Sequence, residues 1–188
     1  MHSRFKPRRP IPPLNESSLQ ELALRYVGKY ATTRAKLATY LSRKVRERGW
    51  EGREPDLSGL AERMASLGYV DDAAYALGKS RSLTARGFGK RRLSEQLRLA
   101  GVEADDGAAA NAHADAEAVD AAIRFARRRR IGPFAGTGGD PKQREKWIAA
   151  MVRGGHKLSL ARALASMSPG AEIDLTEFRQ PVDSDDLC

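Results

Sequence analysis

Apolar residues recur along the chain at intervals of three and four positions, the spacing of one face of an α-helix. In the first such segment they are Leu19, Leu22, Ala23, Tyr26, Val27 and Tyr30. Ser18 precedes them and is the predicted N-cap of a first helix. The pattern predicts a second helix that begins near Thr32 or Thr33 and ends at Gly49, and a third that begins near Asp56 or Ser58. Three helices therefore form one unit.

A basic helical block that ends in glycine returns about every fifty residues, in residues 34–50, 90–102 and 142–156. The second unit opens with Asp71 as a cap, and its first helix is predicted to end near Leu83. The third unit begins around Glu117 and continues past a glycine-rich loop at 132–139 to a helix that Asp140 caps and a last helix at 160–165. Repetition at this period is typical of stacked helical units that cannot each bury an apolar face alone.

The predicted fold is all-α, with about nine helices arranged as tandem three-helix repeats in an elongated stack. We expect a flexible basic arm at 1–18, repeats at 19–70, 71–116 and 117–168, and a loose acidic tail at 169–188. The low aromatic share of 6% and the prevalence of Leu and Ala favour helices over strands.

Composition narrows the class of partner. The 188 residues carry a formal net charge of +9, which favours a polyanionic partner such as nucleic acid, although a solvated basic face has the same composition. The single cysteine, Cys188, excludes an intrachain disulfide and indicates a reducing cytoplasm. No apolar run approaches the ~20 residues that span a bilayer, and residues 1–13 lack the apolar centre of a signal peptide, so we expect a cytoplasmic protein without membrane contact.

The charges are unevenly divided among the helices. Residues 25–53 contain nine Lys or Arg, whereas residues 99–123 contain six acids and no Lys or Arg. In the middle helices of the first two units, Lys36 and Arg43 lie two turns apart, as do Arg91 and Arg98. Rows of cations at this spacing can follow phosphates, or they can face an acidic protein surface.

Catalytic and metal-binding patterns are absent from the sequence, and we expect no cofactor. His2, His113 and His156 have no partners at useful spacing and are predicted to be surface or boundary residues. Asp71 and Asp72 suggest a metal pair, but adjacent residues at a helix start point in different directions, so capping is the better interpretation.

Two further binding features, a phosphate loop and base stacking, are considered for glycines and aromatic residues. Gly87 and Gly89 resemble part of a phosphate loop, yet no strand precedes them, and a hinge between helices fits better. Trp50, Trp147 and Phe88 could stack on bases, but aromatic residues at unit junctions are more often core.

The central part of the chain resembles the RecX family, whose members regulate the RecA recombinase. The resemblance is carried by Leu67-Gly68-Tyr69-Val70-Asp71-Asp72, Tyr75-Ala76, Arg86-Gly87-Phe88-Gly89-Lys90-Arg91-Arg92-Leu93, Leu97 and Gly101-Val102. It extends to the first unit through Tyr30, Thr33, Leu37 and Gly49-Trp50 and covers about residues 19–110. The third unit is placed by its periodicity alone.

The resemblance implies a curved array of three-helix repeats that lies in the groove of the RecA filament on single-stranded DNA. It implies inhibition of filament assembly, ATP hydrolysis and strand exchange, in DNA repair, recombination and the SOS response. The expected contacts to RecA or DNA are Arg86, Lys90, Arg91, Arg92, Arg98, Lys36, Arg43 and Lys44. The expected structural positions of the family signature are Gly68, Asp71, Asp72, Tyr75, Gly87, Gly89, Leu93 and Gly101. We therefore expect RecA, single-stranded DNA and also duplex DNA as partners, and we expect no enzymatic activity. Stacked repeats with distinct ends favour a monomer.

Two other functions stay open. A free-standing DNA-binding protein would bind duplex tightly without RecA, although no single recognition helix stands out. A DNA-processing enzyme on a helical scaffold would need a buried acid or metal cluster, which the sequence does not offer.

Overall fold

The computed structural model describes residues 12–175 and Phe178. Within them the chain forms nine α-helices, one short 3₁₀ helix and no strand, which confirms the all-α prediction. The α-helices are α1 Glu16–Val27, α2 Arg34–Arg48, α3 Leu57–Ser66, α4 Asp72–Ala85, α5 Lys90–Leu99, α6 Ala104–Ala116, α7 Ala118–Arg129, α8 Pro141–Arg153 and α9 Leu158–Ser166.

Polar side chains fix several helix starts. Thr33, Asp56 and Asp140 each accept a hydrogen bond from a backbone amide in the first turn of α2, α3 and α8, as the sequence predicts. Asp71 likewise accepts from the amide of Ala74 at 2.7 Å, at the start of α4. These caps supply partners to amides that a helix start otherwise leaves unbonded.

The predicted start of α1 at Ser18 is wrong. Asn15 is the N-cap, and its side chain accepts from the Ser18 amide at 3.0 Å while the Ser18 hydroxyl accepts from the Asn15 amide at 2.9 Å. This reciprocal arrangement is a capping box. Leu14, just before it, is fully buried in an apolar cluster, and its backbone pairs with that of Trp50.

The buried apolar side chains form three clusters. One contains Leu19, Leu37, Leu41 and Leu60 and joins α1, α2 and α3. A second is built around Leu93, Leu97, Ala110 and Ala114. The third is built around Phe125, Ile131, Met151 and Leu164.

Contacts divide the chain into two compact units, residues 1–75 and 76–188, with the boundary inside α4. The first unit contains α1 to α3, and the second contains α5 to α9. Residues 1–11 of the predicted arm and residues 176, 177 and 179–188 of the predicted tail, with His2 and Cys188, lie outside the described residues. The three-repeat boundaries remain a prediction.

Candidate nucleic-acid interface

The basic helix α5 begins at a turn that a distant loop holds in place. The amide of Gly89 donates to the carbonyl of Gly154 at 2.9 Å, and the amide of Arg91 donates to the carbonyl of Gly155 at 3.2 Å. Protein carbonyls therefore bond the amides of Gly89 and Arg91, which would otherwise be open to an anion. This removes the phosphate-loop interpretation of Gly87 and Gly89.

Close backbone approach explains why glycines stand on both sides of this contact. A Cβ placed on Gly89 would lie 2.2 Å from the Gly155 carbonyl oxygen. A Cβ placed on Gly155 would lie 2.5 Å from the backbone nitrogen of Arg92. Gly87 has a φ of 76° and ends α4 through bonds that a left-handed residue makes possible. The segment predicted as a hinge is thus a closely packed turn.

His156 completes this contact from inside the second unit. Its side chain is 3% exposed, and its Nε2 lies 3.1 Å from the Gly87 carbonyl, to which it donates. Burial lowers the pKa of His156 to about 4, against the smaller opposing effect of that hydrogen bond, so the ring is neutral at pH 7. The predicted surface position of His156 is wrong, because the ring packs edge-on against Phe125. His113 is half-buried, with Nδ1 3.1 Å from the Ser80 hydroxyl.

Four arginines line a groove of about 360 Å³ beside α5. They are Arg91, Arg92, Arg98 and Arg153. The single lining carboxylate, Glu95, pairs with Arg92 at 2.8 Å. Arg91 and Arg98 are exposed and have no carboxylate partner within the part of the chain that the structure describes. Guanidinium groups that are not neutralised locally are available to phosphate or carboxylate oxygens of a partner.

The other predicted contacts on this unit lie outside the groove lining. Lys90 pairs with Asp115 at 2.5 Å, so an internal carboxylate offsets its charge. Arg86 has its guanidinium 5.3 Å from the centre of the Phe88 ring, and its carbonyl accepts from Arg128. Three of the five residues predicted on this unit therefore come together, namely Arg91, Arg92 and Arg98.

The predicted contacts on the first unit have internal partners. Lys36 donates to the Tyr75 hydroxyl at 2.5 Å and lies 4.7 Å from the centre of its ring. Glu47 pairs with Lys44 at 2.6 Å and with Arg43 at 3.8 Å. The hydrogen bond from Lys44 is the main reason that the pKa of Glu47 is lowered. Arg43 and Lys44 line a second groove, which Lys36 does not reach.

Several signature residues make contacts within the protein or lie at helix ends. Asp72 is 5% exposed and accepts from the Arg34 backbone amide at 3.0 Å and from its Nε at 3.3 Å. The hydrogen bond between the two side chains raises the pKa of Arg34 above its ordinary value. Gly68 and Gly101 have φ of 77° and 67° and lie just after α3 and α5, while Leu93 is buried at 1% exposure. A pairing of Asp72 with Arg34 leaves the metal-pair interpretation without support.

The aromatic residues considered for base stacking pack against buried clusters. Trp50, Phe88 and Trp147 are half-buried, each beside one of the three clusters. The indole of Trp50 donates to the Arg53 carbonyl at 2.6 Å. These contacts fit the core interpretation.

Arg153 is the site residue that the sequence analysis missed. It lies in the last turn of α8, directly before Gly154, and reaches the α5 groove because the loop that follows α8 bonds to the start of α5. The only sequence signal was the weak third copy of the basic block at 142–156.

The described residues were also compared with the requirements of a metal site and of a membrane-spanning helix. Among them, no group of three or more His, Cys, Asp or Glu side chains is placed to hold a metal ion. None of the helices they form combines the length and the apolar character that crossing a bilayer requires.

Comparison with known proteins finds relatives that carry the same name. The chain is 32% identical over 172 residues to the regulatory protein RecX of Myxococcus xanthus (strain DK1622), covering 87% of this chain and 91% of that protein. It is 29% identical over 150 residues to the regulatory protein RecX of Agrobacterium fabrum (strain C58), covering 77% and 80%. No protein-family model matches the chain.

The fold is also similar to a solved structure. The crystal structure of RecX from Lactobacillus salivarius superposes with a TM-score of 0.55 at 16% sequence identity, over 79% of this chain and 92% of that chain. At this identity the likeness concerns the fold alone.

Proposed function

The chain belongs to the RecX family of regulatory proteins, and on that basis we propose that it binds the filament of RecA on single-stranded DNA and inhibits RecA. The proposal includes lower rates of ATP hydrolysis and strand exchange. It also includes a cytoplasmic monomer that acts by binding, without a cofactor or a reaction of its own.

The observation that supports this proposal is the arginine-lined groove beside α5. Arg91 and Arg98 are exposed on one helix and have no carboxylate partner among the described residues. Arg153 adds a third guanidinium from α8. Such a groove suits a surface of regularly spaced phosphates or carboxylates, and the filament offers both.

Binding can lower the rate of ATP hydrolysis by favouring one state of the filament. A ligand shifts a conformational equilibrium only by its difference in affinity for the two states. We propose that the groove binds more tightly to a filament state in which ATP hydrolysis is slow, so that binding lowers the rate.

The test is the rate of ATP hydrolysis by the RecA of the same organism on single-stranded DNA, at physiological salt, while this protein is titrated in. Wild type should inhibit at fewer than one molecule per RecA. The Arg91→Glu/Arg98→Glu variant should lose most of this inhibition, because each change replaces an attractive charge by a repulsive one. Helicity measured by circular dichroism should stay unchanged, since both side chains are exposed.

A matched control separates the groove from net charge. Lys142 and Arg144 are exposed in the first turns of α8, outside the groove lining, and glutamate is favourable at a helix start. Lys142→Glu/Arg144→Glu changes the net charge equally and should still inhibit. Inhibition that survives in the α5 variant would contradict the assignment of the groove. Tight duplex binding without any effect on RecA would favour the free-standing DNA-binding protein.

A further inference from the structure

The first unit carries a second basic groove, of about 540 Å³, that differs in chemistry from the one beside α5. Its cationic lining residues are Arg25, Lys29, Arg43 and Lys44, and no carboxylate lines it. Three tyrosines, Tyr26, Tyr30 and Tyr40, share the lining. The α5 groove, in contrast, has no aromatic lining residue.

The tyrosines form a connected group of rings. The rings of Tyr26 and Tyr40 stack with centres 4.1 Å apart and an interplanar angle of 19°. Tyr30 lies 5.3 Å from Tyr26 and is 49% exposed. The amide of Tyr30 donates to the Tyr26 carbonyl at 3.0 Å, which places the backbone of Tyr30 one turn from Tyr26. One exposed tyrosine ring, that of Tyr30, thus lies beside a half-buried stacked pair.

The cations surround these rings. Lys29 lies 5.4 Å from the centre of the Tyr30 ring, and Arg43 lies 5.6 Å from that of Tyr40. Glu21 and Glu47 offset part of the charge, through Arg25 at 3.5 Å and Lys44 at 2.6 Å. Two carboxylates beside four cations leave an excess of positive charge at a surface that also presents aromatic faces.

We propose that this groove binds a short stretch of single-stranded nucleic acid through its bases, with a base stacked on Tyr30 and phosphates on Lys29 and its neighbouring cations. Stacking on tyrosine combined with cationic contacts to the backbone is the usual recognition of single strands without sequence preference. The inference goes beyond the proposed function, because it requires no RecA.

Unpaired bases suit this groove better than the other polyanions do. In a duplex the faces of the bases are stacked on one another, so Tyr30 cannot reach them. An acidic peptide would satisfy the cations but would leave the tyrosine faces without a planar partner. The ring group and the cations together therefore favour a ligand that has planar bases and regularly spaced negative charges.

The test is binding of the full chain, without RecA, to a fluorescent oligothymidine of about 12 nucleotides, followed by anisotropy. Tyr30→Ala should weaken binding at least about fivefold, the lower end of what the loss of one stacked base costs. Tyr30→Phe should bind like wild type, because the ring is kept. Tyr69→Ala is the matched control, since Tyr69 is 55% exposed in the same unit and does not line the groove.

Three further probes decide the chemistry. An abasic oligomer of equal length should bind more weakly than oligothymidine and should not respond to Tyr30→Ala. A duplex of equal length should be equally unaffected by that change. Binding of oligouridine, compared with that of oligothymidine, shows whether the groove prefers RNA or DNA. Weaker binding of Tyr30→Ala to either oligomer supports the proposed groove.

The inference is overturned if Tyr30→Ala binds oligothymidine as wild type does, or if the abasic oligomer binds equally well. Neither result contradicts the proposed function, because the ATP hydrolysis test depends on Arg91 and Arg98 in the other unit. Conversely, a Tyr30 effect on isolated DNA would stand even if RecA were unaffected.

Discussion

His156 is a histidine that burial keeps neutral over a pH range in which an exposed histidine gains a proton. Its pKa is lowered from 6.5 to about 4, because the ring is buried beside Phe125, and the hydrogen bond to the Gly87 carbonyl offsets only a small part of this effect. In the unfolded chain the same ring takes up a proton below pH 6.5. The folded state should therefore lose stability as the pH falls from 6.5 toward 4.

The size of this loss follows from the shift. Between pH 7 and pH 5 we expect the free energy of unfolding to fall by about 2 kcal/mol from His156. Urea unfolding at a series of pH values measures it, with His156→Gln as control, since glutamine does not titrate. The free energy of unfolding of the variant should be lower than that of wild type at pH 7, but it should change less between pH 7 and pH 5. Equal slopes in the two proteins would contradict a buried neutral ring.

The sequence predicts the contacts of a side chain whose partner is a few residues away. It does not predict contacts between residues that are far apart in sequence. Asp71 caps α4 through an amide three residues away, so its position in the pattern was sufficient. Buried Asp72 bonds to Arg34, 38 residues earlier, and buried His156 bonds to Gly87, 69 residues earlier. No local pattern contains either partner.

The periodicity and the caps predict the helices, and glycine marks several of the helix ends. Gly49, Gly68 and Gly101 end helices with positive φ, where glycine has no steric penalty, so these ends were visible in the sequence. The start of α1 was misplaced because Ser18 and Asn15 are both good caps and bond to each other. Periodicity predicts that a helix exists better than it selects between neighbouring caps.

The start of α5 should be sensitive to one added methyl group. Because a Cβ on Gly89 would meet the Gly155 carbonyl oxygen at 2.2 Å, Gly89→Ala must shift the loop or the helix. We expect the free energy of unfolding, measured in urea, to fall by about 1–3 kcal/mol. The shift should also weaken inhibition of RecA, since it displaces Arg91.

A second glycine provides the control for this prediction. Gly78 lies inside α4, and a Cβ there meets nothing within 4 Å. Gly78→Ala should raise stability by about 0.4–1 kcal/mol, because alanine loses less backbone freedom on folding. Destabilisation of similar size in both variants would indicate a general effect of the substitution and not the contact with Gly155.

At the scale of the whole molecule, composition correctly favoured helices but did not locate the grooves. The net charge of +9 is spread over both units, and several Lys and Arg side chains have internal carboxylate partners, such as Glu47 and Asp115. The grooves exist where cations from separate segments meet without enough carboxylates, as Arg153 meets Arg91 and as Lys29 meets Arg43. Such meetings depend on tertiary packing, which a charge count does not contain.

Salt dependence can show whether the charge of the whole molecule or the arrangement in the α5 groove governs filament binding. Each phosphate contact to a single strand contributes about 0.7 to the slope of log affinity against log salt. If Arg91 and Arg98 each contact a phosphate, Arg91→Gln/Arg98→Gln should reduce the slope by about 1.4. Lys142→Gln/Arg144→Gln removes the same charge outside the groove and should leave the slope unchanged, because exposed charges at a distance are screened.

The two possible partners of α5 differ in this measurement. Phosphates on DNA carry condensed counterions that binding releases, whereas isolated carboxylates on a protein surface do not, so only phosphate contacts give the full change in slope. Filament affinity measured at several salt concentrations for the three proteins therefore identifies what α5 binds. Weaker binding with an unchanged slope in the α5 variant would assign Arg91 and Arg98 to carboxylates of RecA. Equal changes in both variants would mean that net charge, and not the groove, governs the interaction.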